Sequence, residues 1–136
     1  MINKIIHFSD LHLRLFKEHD RYREVLTECF TQWKKLNPDR IVFTGDLVHS
    51  KNQMTPELLD IVSWVLIECE SICPVVILIG NHDFLENNQD RLDTLSPIIK
   101  NLNKPNISYF KHTGCYDDDN VLWCVYSLME ENERPN

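Results

Sequence analysis

Three hydrophobic runs each end in a cluster of carboxylate, imidazole or amide groups, and no other feature of the chain restricts its fold so much. Asp10-Leu11-His12 follows Ile5–Ser9, Gly45-Asp46-Leu47-Val48-His49 follows Ile41–Thr44, and Gly80-Asn81-His82-Asp83 follows Val75–Ile79. Each run is short, continuous and β-branched, the pattern of a strand covered on both faces in a parallel sheet. Open parallel sheets bind ligands at the carboxyl ends of their strands. Three clusters of hard oxygen and imidazole donors should therefore converge on one sheet edge, as a metal site and most simply a two-metal one.

The stretches between the runs have helical period. Tyr22, Val25, Leu26, Cys29, Phe30, Trp33 and Leu36 recur at three- and four-residue spacing, giving a helix from about Asp20 to Leu36, which Asn37-Pro38 ends. Thr55 as N-cap and Pro56 at the first position open a second helix, with Leu58, Leu59, Val62, Val65, Leu66 and Cys69 facing the core, up to Cys73-Pro74. A shorter helix is expected over Arg91–Leu102, with Pro97 setting off or kinking its first turn. Ile107–Phe110 and Val121–Ser127 read as later strands, and Gly114–Asn120 as the turn between them. Strand alternating with helix gives a layered α/β domain over residues 1–129, followed by a frayed polar tail at 130–136.

A two-metal site explains the residue types. Two cations about 3.5–4 Å apart clamp the attacking and leaving oxygens of a phosphoryl displacement and make water a nucleophile near neutral pH. Asp46, after Gly45, suits the bridging position, because glycine permits close backbone approach. Asp10 and His12, two residues apart, would share a side in extended geometry. Asn81 offers a neutral oxygen where another carboxylate would overcharge the site, and His82 beside it suits substrate oxygens better than the same metal.

D-x-H, G-D-x-x-H and G-N-H-D, in this order and each after a strand, resemble the calcineurin-like metallophosphoesterases. His49, three residues after Asp46, and the run from Asp46 to Glu57 are similar to the SbcD-type DNA repair and recombination nucleases and their phage and viral counterparts. The resemblance covers residues 10–83 and extends more weakly through Leu92–Lys100. It implies an αββα sandwich in which Asp10, His12, Asp46 and Asn81 bind two divalent ions, with manganese the usual activator and iron or zinc alternatives. It also implies that His82 stabilises the phosphate in flight or protonates the leaving oxygen, and that His49 orients DNA. An SbcC-like coiled-coil ATPase is the expected partner, and such nucleases usually dimerise. Family members complete the site with later histidines, typically a lone His and then G-H-x-H, whereas this chain has only His112 after His82. The chain therefore reads as the N-terminal part of a longer nuclease. Two rivals stay open: a phosphoesterase of the same fold acting on nucleotides, small molecules or phosphoproteins, and a non-catalytic fragment that binds metal or a partner.

Composition sets the remaining bounds. The 136 residues can bury a core, and no apolar run approaches the ~18 residues a membrane helix needs. Five cysteines without zinc-finger spacing point to a reducing intracellular compartment: cytoplasm, nucleoid or nucleus, or an infected cell. The net charge of −7 argues against a nucleic-acid binder, but the charge is unevenly spread. Residues 1–56 hold nine Lys/Arg against seven Asp/Glu, and residues 57–136 hold five against fourteen. Arg14, Lys17, Arg21 and Arg23 follow the first cluster, either as a solvated face or as phosphate contacts, with Arg14 nearest. Trp33, Trp64 and Trp123 read as packing residues, and His7 and His19 as structural or surface histidines.

Overall fold

A computed structural model describes residues 1–84 and 92–133. Four parallel strands, β1 (Ile5–Phe8), β2 (Arg40–Phe43), β3 (Val75–Leu78) and β4 (Ile107–Phe110), form one sheet in chain order. They are linked by α1 (His19–Leu36), α2 (Pro56–Ile72) and α3 (Leu95–Leu102). Sequential strand order with right-handed crossovers puts every connecting helix on the same face. The core shows this, since Ile41, Phe43, Val75, Ile77 and Ile107 pack with Leu26 and Phe30 of α1, Leu58, Ile61, Val62 and Val65 of α2, and Leu95 and Ile98 of α3.

The other face, where Val42 and Val76 are buried, carries a hairpin of β5 (Gly114–Asp118) and β6 (Val121–Val125). Arg40 of β2 donates two bonds to the Asp118 carboxylate, at 2.8 and 2.6 Å, and Phe110 of β4 stacks on Tyr116 with centroids 4.1 Å apart. The hairpin thus forms a second, two-stranded sheet beside the parallel one. Gly114–Asn120 is accordingly not a turn, because only Asp119-Asn120 turns, with Asp119 left-handed at φ 54°. Three aspartates give this segment poor strand propensity, but pairing with residues 121–125 and the Arg40 bonds outweigh it.

The helix ends follow the expected chemistry. Thr55 accepts the Leu58 N–H at 3.1 Å, and Pro56 opens α2. Asn37 and Asn103 end α1 and α3 in left-handed conformation, which asparagine tolerates. Pro97 lies in the first turn of α3, where a missing N–H costs nothing, so it introduces no kink; Arg91 lies outside the described residues. The apolar stripes are narrower than their sequence suggests, since Val25, Leu36 and Leu59 are exposed while Ile61 joins the core. Trp33 packs on Phe8 and Phe30, and Trp64 on Phe30. Arg23 lies over the Trp64 ring and pairs with Asp60 at 2.6 Å, which makes it a staple between α1 and α2. Residues 128–133 form two short 3₁₀ turns that meet at a kink at Glu130, whose carboxylate accepts from the Thr113 N–H and from His112. Residues 134–136 lie outside the described residues. No described helix is long and apolar enough to cross a membrane.

Candidate metal centre

The chains leaving β1 and β2 stay zipped past the sheet. Asp10 N–H donates to Gly45 O at 3.0 Å, His12 N–H to Asp46 O at 2.9 Å, and Leu13 N–H to Leu47 O at 2.9 Å. His49 N–H returns to Leu13 O at 2.9 Å, beside a parallel bridge between Leu13 and Val48, both wholly buried. This ladder fixes the first two clusters against each other. The segment carrying Asp10 and His12 is not extended, however. Both residues are left-handed, at φ 58° and 49°, and so is Asp46 at 59°. Asp and His are among the residues that enter this region most readily, because short polar side chains bond locally.

Gly45 and Gly80 join β2 to β3 at the same level. A Cβ on Gly45 would stand 2.6 Å from Gly80 Cα, and one on Gly80 only 2.2 Å from the Asp46 N and Oδ1. Backbone therefore meets backbone here, as the Gly45-Asp46 pairing suggested. The turn after Gly80 puts His82 N–H 2.8 Å from Asp46 Oδ1 and leaves Asn81 exposed beside it.

Asp10, His12 and Asp46 each direct a ligand atom into one cluster, with all three atoms within 4.8 Å of one another. His12 Nε2 lies 3.5 Å from Asp10 Oδ1 and 3.7 Å from Asp46 Oδ2. Two carboxylates and an imidazole are a fitting donor set for a divalent ion of the manganese, iron or zinc type. His49 and His82 stand on the same rim, their rings stacked with centroids 5.6 Å apart. His82 Nδ1 lies 2.9 Å from His49 O. A carbonyl only accepts, so Nδ1 carries a proton, and Nε2 is the nitrogen left to exchange one. Partial desolvation, the positive charge of exposed Arg14 and the two neighbouring imidazoles hold His49 below the usual histidine range. The third cluster thus meets the first two, and Arg14 comes close enough for its charge to act on His49.

Two residues support the site through partners that the sequence does not announce. Ser9 donates to Asp10 Oδ2, a bond that, with the His12 contact, lowers the Asp10 carboxyl below its usual value. Asp83 is fully buried and accepts four backbone N–H groups: Asp46 at 2.9 Å, Leu47 at 3.1 Å, Val48 at 3.4 Å and Gly80 at 2.9 Å. Burial pushes its carboxyl up to about 6 against the pull of those N–H groups. Its place after Gly-Asn-His marked it as part of the cluster, but its partners lie up to 37 residues away. His7 bonds Thr44, His19 opens α1, and His112 bonds Glu130 at 2.6 Å.

A sheet edge gathering carboxylates and imidazoles from three strand ends defines a candidate divalent-metal site. The family model for calcineurin-like phosphoesterases matches residues 3–132, and the chain belongs to that family. It is 40% identical over 135 residues to "Uncharacterized protein R555" of Acanthamoeba polyphaga mimivirus, covering 96% of this chain and 10% of that one. It is 30% identical over 89 residues to "Putative phosphoesterase 244L" of Invertebrate iridescent virus 6, covering 65% of this chain and 30% of that protein. The chain therefore spans less than a third of either relative.

Proposed function

We propose that this chain supplies the metal-binding rim of a phosphodiester hydrolase acting on DNA, of the SbcD type, which works in a repair or recombination complex inside an infected cell. The observation that carries the proposal is the convergence of Asp10, His12 and Asp46 on one point, with His49 and His82 beside them. Asn81, on the turn after Gly80, would serve the second ion. Divalent ions held there supply Lewis acidity toward phosphoryl oxygens. His82 holds the proton that goes to the leaving oxygen. His49 and Arg14 orient the polymer, Arg14 by charge alone. DNA, an SbcC-like ATPase and a second copy of the nuclease are the partners this reading assigns to the whole protein.

Among the described residues this reading gives the second ion position two protein donors, Asp46 and Asn81, and His112 is engaged by Glu130. Residues 1–136 alone should therefore hold one manganese ion well and cleave little. The test uses a chain extended to the length of the viral relatives. Manganese-dependent cleavage of linear DNA is expected, with His82→Ala retaining metal and losing about 10²–10⁴-fold in turnover. His49→Ala should lose more on DNA than on an aryl phosphodiester. Equal losses on both would favour a phosphoesterase acting on small substrates. By titration calorimetry, Asp46→Asn should weaken manganese binding more than any other single change at the rim, and unchanged affinity would remove its bridging role.

A further inference from the structure

His12, His49 and His82 form a second group whose ligand atoms all lie within 4.8 Å of one another. Their rings cluster closely, with centroids 4.7 Å apart for His12 and His82, 5.9 Å for His12 and His49, and 5.6 Å for His49 and His82. We propose that this trio is an imidazole-only site for a borderline metal ion such as Zn²⁺, distinct in ligand set from the carboxylate cluster and exclusive with it.

Three features support this. Three imidazoles and a water are a sufficient zinc ligand set, and imidazole favours Zn²⁺ over Mn²⁺ more than carboxylate oxygens do. His82 has the support a metal-binding histidine needs, because its Nδ1 is held by the His49 carbonyl and its Nε2 lone pair remains available. The size also fits. Nitrogens on one tetrahedral zinc stand about 3.4 Å apart for Zn–N bonds of about 2.0–2.1 Å. Small rotations of exposed or half-buried rings can close the difference.

Exclusivity follows from His12, which belongs to both groups. A neutral imidazole has one lone pair to give, so it serves one ion at a time. Zinc on the trio takes His12 from the carboxylate cluster. It also occupies His49 and His82, the groups assigned above to substrate. Zinc should therefore act as an inhibitor whose binding site is not the activating one. This site needs no particular phosphoester as substrate, so it can fail while the proposed activity stands.

The experiment is equilibrium dialysis of the full chain against Zn²⁺, with Co²⁺ absorption reporting the ligand type. Asp10→Asn weakens the carboxylate cluster and leaves the trio intact, so zinc affinity should stay within about threefold of the parent. His49→Ala and His49→Gln should each lose at least tenfold in zinc affinity with little change for Mn²⁺, and far-UV dichroism checks that both remain folded. The reverse pattern, with zinc lost in Asp10→Asn and kept in both His49 variants, would overturn the proposal. So would equal zinc affinity in all of them.

Discussion

Asp83 and Asp93 are both buried carboxylates, ten positions apart, yet their surroundings differ in kind. Asp83 faces four backbone N–H groups and, among the described residues, no cation, and burial drives its carboxyl up to about 6. Asp93 faces side-chain donors: the Ser96 hydroxyl at 2.6 Å, the Tyr109 hydroxyl at 2.7 Å and Lys111 Nζ at 3.3 Å, besides the Ser96 N–H. Burial opposes its ionisation too, but the Ser96 and Tyr109 bonds and the Lys111 charge prevail, and its carboxyl lies below the usual range. Burial alone therefore does not decide the charge. The donors do, and they also decide what each residue organises: Asp83 gathers two loops of the metal rim, while Asp93 pins the start of α3 to the end of β4.

The comparison predicts an order of damage. Asp83→Ala leaves four buried N–H groups without an acceptor and should cost about 3–5 kcal/mol in chemical denaturation, together with the site's metal affinity. Asp83→Asn should cost nearly as much, about 2–4 kcal/mol, because its amide NH₂ must point at backbone donors that cannot turn. Lys111→Met leaves the Asp93 charge without a cation and should cost about 1–3 kcal/mol. Asp93→Asn should be mildest, about 1 kcal/mol, since the Ser96 hydroxyl can rotate to accept from the new amide. If Asp93→Asn proved as costly as Asp83→Asn, donor type would not be what separates the two residues.

The same pair separates on pH. The folded Asp93 carboxyl titrates below the ~3.9 of an unfolded aspartate, so its contribution is fully present above about pH 4. It is lost as pH falls through the lower folded value. Denaturation midpoints of the parent and Asp93→Asn, measured from pH 7 down to 2.5, should converge on acidification. Parallel curves would mean that the ionisation of Asp93, favoured by the Ser96 and Tyr109 bonds and the Lys111 charge, adds nothing to stability.

Much of this was legible in the amino-acid sequence, and the exceptions have physical reasons. The clusters holding Asp10, Asp46 and His82 could be placed together because a parallel sheet brings its strand ends to one edge, whatever the loops do afterwards. The backbone at Asp10 and His12 could not be read, since residue spacing does not distinguish extended from left-handed geometry. Asp83 was invisible as an organiser because backbone N–H groups leave no trace in residue identity. Strand β5 was hidden by its aspartates, one of which turned out to be the partner of Arg40, 78 residues away. For Arg23, an exposed-looking cation after the first motif, nothing local announced Asp60 and Trp64 on the next helix.

The left-handed residues at the rim bear on how the molecule fluctuates. Asp10, His12 and Asp46 hold a backbone conformation that costs roughly 1 kcal/mol or more at each non-glycine position. The short ladder through Leu13 and Val48 holds Asp10 and His12 there, while the Asp83 carboxylate also holds Asp46. Opening that ladder relieves Asp10 and His12 together, so the amides of His12, Leu13 and His49 should exchange with deuterium well before those of β2 and β3. An ion gripping Asp10 and Asp46 ties the two loops from outside and slows that opening. Exchange at these three amides would then give a clock for metal residence, one that runs whether or not a substrate is ever cleaved.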